Sequence, residues 1–151
     1  MSVMTSAHEP RELEDFYKRW SCEVYRFCRL FLGDAAEAER ILPQAFAAFY
    51  RQTELLPMGG KVRARLFALA LQAMQASRSG LEKAPGISAL ESCILRLECK
   101  QRAVFIARSV FGMEWPEAAS LTESTIHDAR RSWLQAMLRL QELLPRDFFG
   151  G

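Results

Sequence analysis

Apolar residues recur at helical spacing along almost the whole chain. Between Arg11 and Leu32 they fall at Leu13, Phe16, Tyr17, Trp20, Val24, Phe27 and Phe31, which predicts one amphipathic helix. Gly33 follows as a C-terminal signal, and Asp34 can cap the next helix. The second segment is apolar at Ile41, Leu42, Ala45, Phe46, Phe49 and Tyr50, with Pro43 in its middle. An interior proline removes a hydrogen bond and clashes with the carbonyl four residues back, at about 3 kcal/mol. Alanine and aromatic spacing continues on both sides, so a kinked helix is expected rather than two short ones. Pro57-Met58-Gly59-Gly60 predicts a loop, and Lys61 to Ser77 a third helix buried along Leu66, Leu69, Ala70, Ala73 and Met74.

Ser77-Arg78-Ser79-Gly80 ends that helix and opens the only plausible boundary in the chain. The expected organisation is a three-helix domain over 1–79, a linker over 80–87 and a second helical domain over 88–151. Ser88-Ala89-Leu90-Glu91 matches a capping box, opening a helix through Leu97. Another helix is expected from about Glu98 to Phe111, stopped by Gly112. Pro116 to Ser120 then reads as a short helix broken at Leu121. Thr122 stands as the expected N-cap, with Glu123, Ser124 and Thr125 as a polar turn, and the helical period resumes from Ile126 to Leu144. Short helix, tight turn and longer helix is the helix-turn-helix pattern, whose second helix reads the major groove. No strand alternation occurs. The fold class is all-α: three helices, a linker, then about four.

The 151 residues suffice for one ordinary domain or two small helical ones. Half are apolar and a quarter charged, a globular composition. No apolar run approaches the ~20 residues of a membrane span, so no membrane insertion is expected. The N-terminus turns polar and acidic at once, which argues against a secretory signal and for a cytoplasmic protein. Cys22/Cys28 and Cys93/Cys99 are each six apart, which puts the members of a pair on different faces of a helix. That is neither metal-ligand spacing nor a disulfide framework, so reduced, mostly buried thiols are expected. Trp20, Trp115 and Trp133 are expected in the core. His8 and His127 lack partners for a metal or a triad, and no nucleophile, glycine-rich phosphate loop or paired-carboxylate site stands out. The sequence points away from an enzyme, a cofactor and a small-molecule substrate. The net charge of +2 is too small to prove a nucleic-acid partner, so the placement of the arginines decides.

Two stretches carry a family resemblance that covers nearly the whole chain: FYKRWSCEVYRFCRLFLGDAAEAERIL with AFAAFYR, and LRLECKQRAVFIARSVFGMEWPEAASLTESTI. Lys100-Gln101-Arg102, then Val104-Phe105 and Gly112, resemble an "LPxRQRxVxxLR…G" run into a helix-turn-helix. The chain resembles the extracytoplasmic-function group of bacterial sigma-70 factors, which join two helical domains, regions 2 and 4, by a linker. The resemblance implies core RNA polymerase and promoter DNA as partners, with an anti-sigma factor as antagonist. It places the polymerase contact on the second helix, at Glu39, Arg40, Gln44 and Phe46. It places DNA contact at Thr122, Glu123, Ser124, Thr125, His127, Asp128, Arg130 and Arg131. Helix N-terminal amides, Ser124 and Thr125 suit phosphates. Arg130 or Arg131 suits a bidentate guanine contact, worth ~1–3 kcal/mol of discrimination. Glu123 and Asp128 would repel phosphates there.

The chain also departs from the family. In a "DLVQETF"-like run that meets the polymerase, Arg40 replaces an acid and Pro43 a glutamine, while Phe46 is kept. In the third helix Arg65 and Leu69-Ala70-Leu71-Gln72 stand where a tryptophan and an "IARN"-like stretch support promoter melting. That work needs stacking platforms and backbone cations. Here the exposed cations are Lys61, Arg63 and Arg65, all at one end. Met113-Glu114-Trp115-Pro116-Glu117 resembles "LSYEE", but the run to Leu121-Thr122 is about three residues shorter than usual. Arg130 falls on a buried leucine and Trp133 on a small alanine, so the core stripe is expected on Ile126, Ala129, Trp133, Met137 and Leu140. The first functional expectation is a transcription initiation factor. The second, favoured by these departures, is a sigma-fold protein–protein module, either a decoy for an anti-sigma factor or a regulatory adaptor. A plain DNA-binding repressor would leave the first half unexplained.

Overall fold

The structure, a computed structural model, describes residues 10–52, 61–77 and 88–144. Among these every regular element is helical: α1 (Pro10–Leu32), α2 (Ala35–Gln52), α3 (Lys61–Ser77), α4 (Ala89–Ile94), α5 (Cys99–Phe105), a π-helical segment (Ile106–Val110), α6 (Trp115–Leu121) and α7 (Ile126–Leu143). No described helix is long and apolar enough to cross a membrane. The Pro57–Gly60 turn, the 80–87 linker and His8 lie outside the described residues.

Local chemistry sets the ends of these elements. Gly33 closes α1 at φ +72°, a backbone region that side-chain-bearing residues avoid. The Asp34 carboxylate then accepts from the Ala36 and Glu37 amides at 2.9 and 3.2 Å and caps α2. One helix runs through Pro43. Ser88 and Glu91 form both arms of the expected capping box, at 3.1 and 3.0 Å. The helix it opens ends at Ile94, three residues short of the expected Leu97, in a turn that leads to α5. The expected helix from Glu98 to Phe111 is α5 plus a π-helical turn, where the Phe111 amide reaches the Ile106 carbonyl at 3.2 Å.

Helices α1, α2 and α3 pack on one another, α5 and α6 pack on α7, and α3 packs on α6. The two halves share one apolar core. Phe27 and Phe67 stack at 4.5 Å, and Phe111 from the second half meets Phe67 edge-on at 4.9 Å. Burying an aromatic of this size contributes roughly 1.5–3 kcal/mol relative to leaving it exposed. Arg102 on α5 donates to the Phe31 carbonyl at 2.9 Å and lies over the Phe31 ring at 4.7 Å. Arg29 on α1 meets Glu91 on α4 at 4.0 Å. The seam between the halves is thus apolar at its centre and tied by guanidinium groups at its edge.

The cysteines are free thiols: Cys28 and Cys93 buried, Cys99 half-buried, Cys22 exposed. The three tryptophans sit at the margin of the core, half-buried rather than within it.

Candidate functional site

The helix-turn-helix is built by α6, a four-residue turn and α7. Pro116 sits in the first turn of α6, where its missing N–H is not needed. The helix ends at Leu121, and Glu123 takes φ +52°, unusual for a residue with a side chain. The Ser124 amide returns to the Ala119 carbonyl at 3.0 Å and closes the turn. Thr122 does not cap α7, contrary to the sequence expectation. It ends α6, and its hydroxyl meets that of Ser124 at 2.9 Å. The N-cap is Thr125, whose hydroxyl accepts from the Asp128 amide at 3.1 Å. The left-handed Glu123 uses up the residues between the two threonines, so the second threonine receives the cap.

The buried stripe of α7 is Ala129, Ser132, Ala136 and Leu140, with Trp133 and Met137 half-buried beside it. Ile126, expected in that stripe, is 40% exposed. Two small alanines and a serine let α7 approach α5 and α6 closely, and this rotates Ile126 outward. On a helix of 100° per residue, the opposite face carries His127, Arg131, Leu134 and Leu138. Leu134 and Leu138 are 54% and 53% exposed. Among the described residues, His127 and Arg131 have no hydrogen bond, ion pair or ring contact and are open to solvent.

Arg130 differs from its neighbour. Its guanidinium lies 5.6 Å from the centre of the Trp115 ring, and that of Arg108 lies 4.8 Å from the same ring. Arg108 also donates to the Met113 carbonyl at 3.0 Å. Trp133 braces the platform, edge-on to Trp115 at 6.0 Å and 86°, with its indole N–H on the Ser109 hydroxyl at 2.8 Å. Of the remaining DNA candidates, Thr122 and Ser124 have their hydroxyls engaged in the turn. Asp128 is half-buried, and Glu123 is exposed at the mouth of the turn. Sequence reading gave Arg108 no role and placed Trp115 in the core. The signal that could have found them is an arginine upstream of Gly112 followed by a tryptophan just before Pro116.

The polymerase candidates fall on α2. Glu39, Arg40 and Gln44 are exposed. Arg40 is held bidentately by Glu37, at 2.8 and 3.3 Å, and this carboxylate raises the arginine's pKa further. The Gln44 amide donates back to the Arg40 carbonyl at 3.4 Å. Phe46 is not on this surface. It is 2% exposed, packed at 4.7 Å from Tyr17 and 6.0 Å from Phe16. Any role it has in a contact is to support the face from beneath. The aromatic that does reach solvent there is Tyr17, 37% exposed, which the sequence had placed in the core stripe.

A groove of about 770 Å³ opens beside the packed α3 and α6, lined by residues of α2, α3, α6 and the turn. Phe49, Ala68 and Leu69 line it, with Arg65 and Gln72 from α3 and Glu117 and Glu123 from the helix-turn-helix. Arg65 donates to Gln52 at 3.0 Å, while Leu69, Ala70 and Leu71 are buried and Gln72 is exposed.

No protein-family profile matches the sequence, and no curated protein matches it. Solved structures do match by shape. The sigma factor RpoE, in complex with the anti-sigma factor NepR from Bartonella quintana, is similar at TM-score 0.73 and 18% identity, over 89% of this chain and 99% of that one. CnrH, in complex with the cytosolic domain of CnrY, is similar at TM-score 0.71 and 20% identity, over 91% and 90%. The anti-anti-sigma factor PhyR, complexed with NepR from Bartonella quintana, is similar at TM-score 0.65 and 15% identity, over 86% of this chain and 49% of PhyR. The helix order, the helix-turn-helix and the nearly end-to-end likenesses to RpoE and CnrH agree: the chain has the sigma-factor fold.

Proposed function

We propose that this chain is a sigma-like transcription initiation factor, with α2 docking on core RNA polymerase and α7 reading promoter DNA. The observation that carries this reading is the outward face of α7: His127 and Arg131 stand open beyond a capped turn, on a fold matched over nearly its full length by a sigma factor. Phosphate contacts would set the register of α7, and base-edge contacts its specificity. The polymerase face would be Glu39, Arg40 and Gln44, with Arg40 reversing the charge usual in the family. The test is transcription by sigma-free core polymerase on genomic DNA of the host, with transcript ends sequenced. Discrete start sites that depend on the chain are expected, and their absence with a folded chain would overturn initiation.

A second reading is a sigma-fold module that captures an anti-sigma factor without initiating. The groove between α3 and α6 favours it, because both halves line it and its walls offer Arg65 on one side and Glu117 and Glu123 on the other. Binding of an anti-sigma protein together with failure of start-site selection would establish it.

A further inference from the structure

Arg130 and Arg131 are neighbours in sequence, but about 100° apart around α7 and in different surroundings. Arg131 faces outward with His127. Arg130 lies on the Trp115 indole, which also carries Arg108 from the π-helical segment. A guanidinium over an indole is attracted by the ring's negative face and held flat, with its N–H edge free. Among the described residues Arg130 makes no hydrogen bond, and Arg108 directs one N–H to Met113. Two guanidiniums on one ring repel each other, and most of their donors are unspent. A dianion or monoanion held by both would relieve that repulsion and use the donors. The platform itself is fixed by Trp133 and by the bond from Trp133 to Ser109.

We infer that Trp115 holds Arg108 and Arg130 as a two-guanidinium clamp for a phosphate group, while Arg131, the next residue on α7, reads a base edge. The inference rests on the DNA-reading proposal for its second half and names the division of labour within that site. The phosphate is one of the duplex backbone, beside the groove into which α7 inserts. Clamp contacts are indifferent to sequence and release counterions, whereas a bidentate contact to guanine discriminates between bases.

The test uses the full chain and a duplex library randomised over its central base pairs. Arg108→Ala and Arg130→Ala should each weaken binding to all sequences alike, lower the salt slope by about 1 and leave the selected sequence unchanged. Arg131→Ala should erase a base preference of about tenfold or more at one position. A changed preference in Arg130→Ala, or an unchanged one in Arg131→Ala, overturns the assignment. A second measurement is independent of duplex reading: titration with inorganic phosphate, followed by NMR of the arginine Nε–H groups. Arg108 and Arg130 should shift together and Arg131 should not. Absence of those shifts overturns the clamp even if duplex binding stands. Shifts without any selected sequence retain the clamp and overturn the base-reading role of Arg131, separating the two claims.

Discussion

Arg102 reaches from α5 across the seam between the two halves and donates to the carbonyl of Phe31 at 2.9 Å. The same guanidinium donates to the Leu95 and Leu97 carbonyls at 2.9 and 3.0 Å, so one side chain gathers the end of α1 and the α4–α5 turn. Desolvation lowers its pKa from the ordinary arginine value, and three carbonyl dipoles and the Phe31 ring compensate the buried charge. Arg102→Met should therefore cost about 3 kcal/mol, because it strands buried acceptors as well as losing charged hydrogen bonds. Arg102→Lys should rescue little, since an ammonium cannot span the planar fork. Urea unfolding of both variants checks this. A loss under about 1 kcal/mol for Arg102→Met would mean that the seam does not depend on it.

Gly33 and Gly112 both sit at positive φ, +72° and +64°, but only Gly33 is crowded. A Cβ there would run into the Leu95 side chain across the seam, whereas nothing lies within 4 Å of one at Gly112. Gly112→Ala should cost only the backbone strain, about 1 kcal/mol. Gly33→Ala should cost about 2–3 kcal/mol, because Leu95 must also move. Equal losses in denaturant melts would contradict the close approach of the α4–α5 turn to the end of α1.

Pro43 is exposed within a helix that continues on both sides of it. Pro43→Ala restores a backbone donor for the Glu39 carbonyl and removes the ring clash, while giving the unfolded chain more freedom. The net expectation is a gain of about 1–2 kcal/mol in thermal or urea unfolding. A loss of stability would show that the proline is needed for the shape of α2.

The thiol of Cys28 is fully buried, and desolvation pushes its pKa from 9.0 up to about 12. The unfolded chain releases this proton near pH 9, and the folded chain holds it until about 12. Stability from this group is therefore complete below pH 9 and falls as pH rises towards 12, by about 1.4 kcal/mol per pH unit within that window. Cys28→Ala should show a shallower alkaline decline than the parent. Tyr50, raised chiefly by burial, contributes in the same sense to both proteins and cancels in the comparison. Thiol labelling of the native chain should modify exposed Cys22 quickly and spare Cys28 and Cys93. Equal rates would contradict the packing.

Much of the framework was legible from spacing alone. The Ser88–Glu91 box, the Gly33 stop and the Asp34 cap are local chemistry, and each forms where the residues predict. Two kinds of feature were not legible. One is choice among equivalent residues: Thr122 and Thr125 are equally good caps, and only the left-handed Glu123 selects the second. The other is tertiary. Nothing in the periodicity of α5 foretells that Arg102 spends its charge on the Phe31 carbonyl of the first half and on two carbonyls of the α4–α5 turn. Nothing in that of α7 says that Arg130 lies on Trp115 while Arg131 stays free. Phe46 fits both a contact motif and a core stripe, and packing against Tyr17 and Phe16 decides for the core.

The most direct test of the initiation account is co-elution of the purified, folded chain with sigma-free core RNA polymerase. A stoichiometric complex is predicted, weakened when the α2 face is altered by Glu39→Lys with Gln44→Ala, two exposed changes outside the Arg40–Glu37 pair that should leave the thermal midpoint in place. A chain that is folded by circular dichroism yet elutes apart from core polymerase would contradict initiation, whatever DNA α7 can bind.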